Sequence, residues 1–239
     1  MQRYFSEFRL TLGDEVLMNA DDSHHIRTVT RMGEGDEVEV VDSGSALFVG
    51  EIVTVDGAVR LRVASQLDAQ TELPVKTTII VPLLKGDKLD WLLQKATELG
   101  AHAFHLYDSE RAVVKLDAGK LEKRIARFEK IVKEAAEQSK RLVVPEIKHV
   151  GKVGLVSERD YGKLMIAYEG AALDESKSLS HVFDDNLSEV GCIFGPEGGF
   201  SERELELLSE ATTIRLGPRI LRAETAPLYF LSAMSFKYD

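Results

Sequence analysis

The chain has one cysteine in 239 residues, Cys192, so no internal disulfide can form. A reducing compartment, the cytoplasm, is the expectation from that count. Cys192 lies in the apolar run Val190-Gly191-Cys192-Ile193-Phe194, where a buried thiol is expected and not a nucleophile. No apolar run reaches membrane-spanning length. The opening residues Met1-Gln2-Arg3-Tyr4-Phe5 lack the apolar core of a secretory signal. Internal repeats and low-complexity stretches are absent. So are a dinucleotide-binding fingerprint or phosphate loop at the glycine-rich turns, and a serine-hydrolase elbow. A metal site is not expected. His24 and His25 are adjacent and point about 100° apart on a helix, which suits no shared ligand.

What is present is a soluble composition: 44% hydrophobic residues, 29% charged and a net charge of −10. The negative balance argues against a general nucleic-acid coat. Its distribution is uneven. Residues 1–73 carry 14 acidic and 6 basic side chains, whereas residues 120–152 carry 10 basic and 5 acidic. A local basic face can hold phosphates on an acidic protein, because distant charges are screened within roughly 10 Å.

Residues 1–70 read as a small β-barrel. Glu37–Val41, Phe48–Val55 and Ala58–Val63 are strand candidates, with turns at Asp42–Ser45 and Asp56-Gly57. A short helix is expected over 23–31, capped by Asp22 or Ser23, and Ser65–Pro74 reads as a linker. From Thr77 the pattern alternates between apolar strands and amphipathic helices, which predicts an α/β sheet covered on both faces over 74–239. Ser201 and Glu204 form a capping-box pattern, and a final helix is expected over 223–236.

Two segments stand out, Gly195-Pro196-Glu197-Gly198-Gly199-Phe200-Ser201 and Leu216-Gly217-Pro218-Arg219-Ile220-Leu221-Arg222-Ala223-Glu224-Thr225-Ala226. Each joins a strand to a helix, at the end of a parallel sheet where ligands bind. Glycine lets the backbone approach a ligand, and the apolar pair Ile220-Leu221 suits a flat heteroaromatic ring. Two ordinary connections are the plainer alternative, but two such turns so close together favour one shared ligand.

These segments resemble the paired signatures of the RsmE family, 16S ribosomal RNA uracil-N3 methyltransferases of the SPOUT superfamily. The resemblance extends to Lys85-Gly86-Asp87-Lys88-x-Asp90-Trp91-x-x-Gln94-Lys95-Ala96-Thr97-Glu98-Leu99-Gly100, to Glu110-Arg111, and to Ala135-Ala136-Glu137-Gln138-Ser139-x-Arg141 with Val144-Pro145. At the N-terminal side it includes His24-His25-x-x-x-Val29-x-Arg31 and Gly35-Asp36. It implies a PUA-like barrel followed by an α/β domain with a C-terminal trefoil knot, S-adenosylmethionine as cofactor, a homodimer, and the small ribosomal subunit as partner.

By the same resemblance, the cofactor is held by Tyr168 and Glu169 at one strand end. Gly195, Pro196, Glu197, Gly198 and Gly199 hold it in the first turn, and Leu216, Gly217, Ile220, Leu221, Thr225 and Ala226 in the second. Arg222 is the candidate for orienting the base or stabilising charge on uracil oxygens, and Glu224 for removing a proton or orienting Arg222. A structural Arg222–Glu224 salt bridge is the competing reading. RNA-binding candidates are Arg3, Arg9, His25, Arg27, Arg31, Arg111 and Arg141. Ala223 and Pro227 depart from the family's usual threonine and alanine. The rival functions are transfer to another RNA position, such as a ribose hydroxyl, and a non-catalytic role in ribosome assembly.

Overall fold

The computed structural model describes residues 1–112, 114 and 117–238. The chain divides into two units. One comprises Met1–Glu72 with Ala136–Val143, the other Leu73–Ala135 with Val144–Asp239.

The first unit is a curled five-stranded sheet. Strands β1 (Arg3–Phe5), β2 (Glu15–Leu17), β3 (Glu37–Val41), β4 (Leu47–Thr54) and β5 (Arg60–Leu67) lie in the order β1-β3-β4-β5-β2. Alternation along the strands buries Val38, Val40, Ile52, Leu61 and Val63 together with Tyr4 and Ile26. The β3–β4 turn is built on Asp42, whose Oδ1 accepts from the amides of Gly44 at 2.8 Å and Ala46 at 2.9 Å. Burial opposes ionisation of this carboxyl. The amides of Ala46, Gly44 and Leu10, with Arg9, nonetheless hold it below the usual carboxylate range.

The expected helix over 23–31 begins earlier and changes character. An α-helix, α1 (Ala20–His24), runs into a π-turn over His25–Val29. Its cap is Asn19, which accepts from Asp22 N at 2.8 Å. Ser23 is unavailable as a cap because its hydroxyl donates to Met18 O and accepts from Val59 N. The expected linker is also shorter, since β5 continues to Leu67 and pairs with β4 through Leu47↔Leu67.

The second unit holds six parallel strands: β6 (Lys76–Pro82), β7 (Ala103–Asp108), β8 (Glu146–Lys152), β9 (Lys163–Ala167), β10 (Glu189–Phe194) and β11 (Thr212–Ile214). Their order is β11-β9-β10-β6-β7-β8, so β10 enters between the earlier strands β6 and β9. Successive residues face opposite sides. Ile79, Val81, Cys192 and Phe194 pack with the helices α2 (Lys88–Glu98) and α3 (Ala118–Gln138), while Ile80, Ile166 and Ile193 pack with Val150, Val153, Val156 and Phe200. This is why the strands read as continuously apolar. Cys192 is fully buried, and burial pushes its thiol well up, which leaves it inert.

Three short helices follow, α4 (Gly154–Ser157), α5 (Leu179–Val182) and α6 (Glu202–Leu207). The last, α7 (Ala226–Tyr238), starts three residues later than the sequence suggests. Pro227 has no N–H to donate to the carbonyl of Ala223, so the helical ladder is interrupted there. Residues 222–226 form a turn before it, with Arg222 O accepting from Thr225 N at 2.9 Å and Ala226 N at 3.0 Å.

Candidate active site

Parallel strands end on the same side, so the connections after β6, β9, β10 and β11 share one end of the sheet. There they enclose a cavity of about 370 Å³. After β9 come Tyr168 and Glu169, and after β10 come Gly195, Pro196, Glu197 and Gly199. The connection after β11 adds Leu216, Gly217, Ile220, Leu221, Arg222 and Glu224, with Ala226 at the start of α7. The two glycine turns are therefore walls of one space.

Each wall has an identifiable cause. Tyr107, buried in β7, donates its hydroxyl to the carbonyl of Phe194 at 3.0 Å and fixes the end of β10 just before Gly195. Burial raises its pKa well above the ordinary value, so it remains a donor. The first turn closes through Gly199 N to Pro196 O at 2.9 Å, with Gly199 at φ +65°, a conformation that favours glycine. The expected capping box is present. Ser201 Oγ accepts from Glu204 N, and Glu204 returns a carboxylate oxygen to Ser201 N at 2.8 Å. The other oxygen of Glu204 accepts from Glu110 N at 2.9 Å.

Two candidates fall outside the lining. Gly198 turns its carbonyl outward to Arg111 Nη1 at 3.1 Å, and the Thr225 amide is used within its own turn. Arg222 is exposed at the cavity. Glu224 is not its structural mate. The cation beside Glu224 is Lys88, with Nζ 3.7 Å from Oε2 and 2.7 Å from Glu197 Oε1. Lys88 and Glu197 hold each other charged: the ammonium's hydrogen bond lowers the Glu197 pKa, and the carboxylate raises that of Lys88.

The sequence motifs assign no cavity role to Lys88, Arg215 or Arg219, yet all three line the cavity. Lys88 opens α2, directly after β6, the neighbour of β10. Only the strand order reveals that adjacency. Arg215 is anchored to Glu175 Oε1 at 2.6 Å and to Ala172 O at 2.8 Å.

Among the RNA-binding candidates, Arg9, Arg27, Arg31 and Arg111 are exposed. His25 is half-buried, with Nδ1 2.9 Å from the Tyr4 hydroxyl. Arg3 and Arg141 require correction as surface contacts, because they are 5% and 3% exposed. Arg3 pairs with Glu39 at 3.0 Å and also donates to the Lys140 carbonyl, while Arg141 pairs with Glu72. Such buried arginines are consumed by their partners and hold the 136–143 segment within its unit. Among the described residues, no group of three or more His, Cys, Asp or Glu side chains could hold a metal ion, and no helix is long and apolar enough to cross a membrane.

Comparison with known proteins supplies the class. The chain matches the RNA methyltransferase domain family over residues 71–235 and the RNA methyltransferase PUA domain family over residues 19–58. It is 41% identical over its whole length to ribosomal RNA small subunit methyltransferase E of Bacillus subtilis, covering 98% of that protein. The Neisseria gonorrhoeae methyltransferase E structure, bound to S-adenosyl methionine, matches with a TM-score of 0.88 at 27% identity. That match covers 100% of this chain and 98% of the other. A Legionella pneumophila protein solved with the cofactor SAM matches with a TM-score of 0.87 at 29% identity, covering 98% and 97%. The fold is that of an RNA methyltransferase with a PUA-like N-terminal sheet. The chain belongs to the ribosomal RNA small subunit methyltransferase E family, the RsmE family that its motifs resemble.

Proposed function

We propose that the protein transfers the methyl group of S-adenosylmethionine to N3 of one uridine in 16S ribosomal RNA. The observation that carries this reading is the cavity walled by both glycine turns, into which Glu224 brings a buried, unbonded carboxylate oxygen. The cavity fits such a cofactor. It offers the apolar Leu216, Ile220 and Leu221 to an adenine ring. It also offers an orphaned acceptor, Glu224 Oε2, and an orphaned donor, Arg215 Nε, both buried without hydrogen-bond partners. The carboxylate of a zwitterionic ligand can satisfy the donor, which leaves Glu224 Oε2 for the substrate.

When bound, the cofactor supplies an electrophilic methyl group. The chain must then bring a nitrogen to it and remove the proton that makes the nitrogen a poor nucleophile. Uracil N3 lies on the Watson–Crick edge, so the base enters unpaired. Arg222, exposed beside the cavity, orients it and donates to the uracil oxygens as charge develops there. Glu224 Oε2 accepts the N3 proton, and the N3 electron pair forms the bond to carbon. The glycine turns keep the reacting groups aligned and exclude water.

The sequence modules at 1–70 and 74–239 divide RNA binding from transfer, with Arg9, His25, Arg27, Arg31 and Arg111 contacting RNA. The entry of β10 between two earlier strands supports a trefoil knot. A homodimer is supported by α7, which buries Phe230, Leu231 and Met234 on one side yet leaves Phe236 95% exposed and Tyr229 40% exposed on another. Trp91 of α2, the helix packed beside α7, is also exposed. Action on the small ribosomal subunit implies a cytoplasmic protein, consistent with its one buried thiol.

Replacing Arg222 with alanine tests the chemistry. At saturating cofactor, methyl transfer should fall by roughly 100-fold while cofactor affinity changes little. Unchanged turnover overturns the role assigned to Arg222.

A further inference from the structure

Lys88 has no part in the roles above, yet it is the side chain that α2 contributes to the cavity, and it touches both glycine turns. Its ammonium hydrogen-bonds Glu197 of the first turn at 2.7 Å. It stands 3.7 Å from Glu224 Oε2 of the second, close enough for a charge interaction and too far for a hydrogen bond. Glu224 Oε2 is buried and accepts no hydrogen bond. A buried carboxylate without a neighbouring cation is strongly unfavourable, and such a group takes up a proton instead. Here the cation is supplied without occupying the oxygen's lone pairs. An oriented, unbonded oxygen beside a cation is what a proton acceptor needs.

We infer that Lys88 is a positioning residue, which bridges Glu197 and Glu224 and holds the free oxygen of Glu224 aimed at the proton it removes. This rests on the reading of the site as a uridine-N3 methyltransferase. In the step itself, the N3–H bond breaks and its proton passes to Glu224 Oε2. The N3 electron pair bonds the methyl carbon, and the carbon–sulfur electron pair returns to sulfur, which becomes neutral. Lys88 forms and breaks no bond. The charged groups facing it are Glu197 from the first turn and Glu224 and Arg222 from the second, and Glu169, Arg215 and Arg219 complete the charges of the cavity. Because Glu197 anchors the ammonium, a longer guanidinium at position 88 can span the same two carboxylates, whereas an uncharged amide cannot compensate either.

The test compares full-length Lys88→Gln and Lys88→Arg with the unaltered protein. Cofactor affinity is read by calorimetry. Single-turnover transfer is read at saturating cofactor across pH, on 16S RNA from cells lacking the enzyme. Lys88→Gln should slow transfer at neutral pH by about 100-fold. Its cofactor affinity should stay within about threefold, and Lys88→Arg should restore most of the rate. An unchanged rate overturns the inference. So does a parallel loss of rate and cofactor affinity with no rescue by arginine. If the unaltered protein itself leaves uridine N3 unmethylated, the proposed function falls, and that result is distinct from any effect at position 88.

Discussion

Gly199 and Glu169 meet at the cavity so closely that a Cβ on Gly199 would stand 2.5 Å from Glu169 Oε1. The connection after β9 and the first glycine turn are thus fitted to each other. The contact has two consequences for substitution at Gly199. Its φ of +65° costs any L-residue about 1 kcal/mol or more, and the added methyl group must displace a carboxylate that lines the cavity. Gly199→Ala should therefore fold and yet bind S-adenosylmethionine about tenfold more weakly by calorimetry. Full affinity in that variant would show that the turn does not shape the cofactor site.

The cap of α6 is the second test. Glu204 is fully buried, and its two oxygens accept from the amides of Ser201 and Glu110. Glu204→Ala removes both acceptors and leaves two amides without them, at a cost of roughly 2–3 kcal/mol. Ser201→Ala removes one capping bond, worth about 1 kcal/mol. Denaturant titration should rank Glu204→Ala below Ser201→Ala in stability, and the reverse order would contradict the assignment.

His105 of β7 gives the protein an acid sensitivity. Burial, reinforced by Arg159 and Lys148, lowers its pKa from 6.5 to about 4. Its Nδ1 is 2.8 Å from the Tyr161 hydroxyl, whose pKa is raised by burial to about 12, so the phenol donates and the imidazole accepts. Above pH 6.5 both folded and unfolded chains carry a neutral His105. As the pH falls toward about 4, the unfolded chain takes up a proton that the folded chain resists. Stability should therefore decline across that window, with a slope below about 1.4 kcal/mol per pH unit because solvent screens part of the half-buried ring. His105→Gln should flatten the decline measured by thermal melting; an identical decline in the variant would exclude His105 as its source.

Much of the α/β unit is legible in the sequence, because apolar strands and amphipathic helices leave strong periodicities. Ser201 and Glu204 announce their helix start by spacing alone. The neighbours of Lys88 are not legible. Its partners Glu197 and Glu224 lie 109 and 136 positions away, and only the order of strands β6, β10 and β11 in the sheet brings them together. The edge strands of the first sheet, β1 and β2, escape notice because three residues each are too few to show alternation. Arg3 and Arg141 look like surface cations in sequence. Their burial depends on Glu39 and Glu72, which no local pattern pairs with them.

That difference among the arginines is measurable. Arg141→Ala should lower the melting temperature, since it leaves the half-buried Glu72 carboxylate without its cation, only the Leu142 amide remaining. Arg27→Ala, at an exposed position, should leave stability within about 0.5 kcal/mol and reduce the salt dependence of RNA binding by about one charge. An Arg27→Ala variant with unaltered RNA affinity and salt slope would remove this position from the RNA surface.

The most direct measurement is to incubate 16S RNA from cells lacking the enzyme with the protein and methyl-labelled S-adenosylmethionine, and then to map the label. One labelled nucleotide is expected, a uridine methylated at N3, with no transfer when Glu224 is replaced by glutamine. Label on a ribose hydroxyl or on another base, or full transfer by the Glu224→Gln variant, would contradict the proposed chemistry.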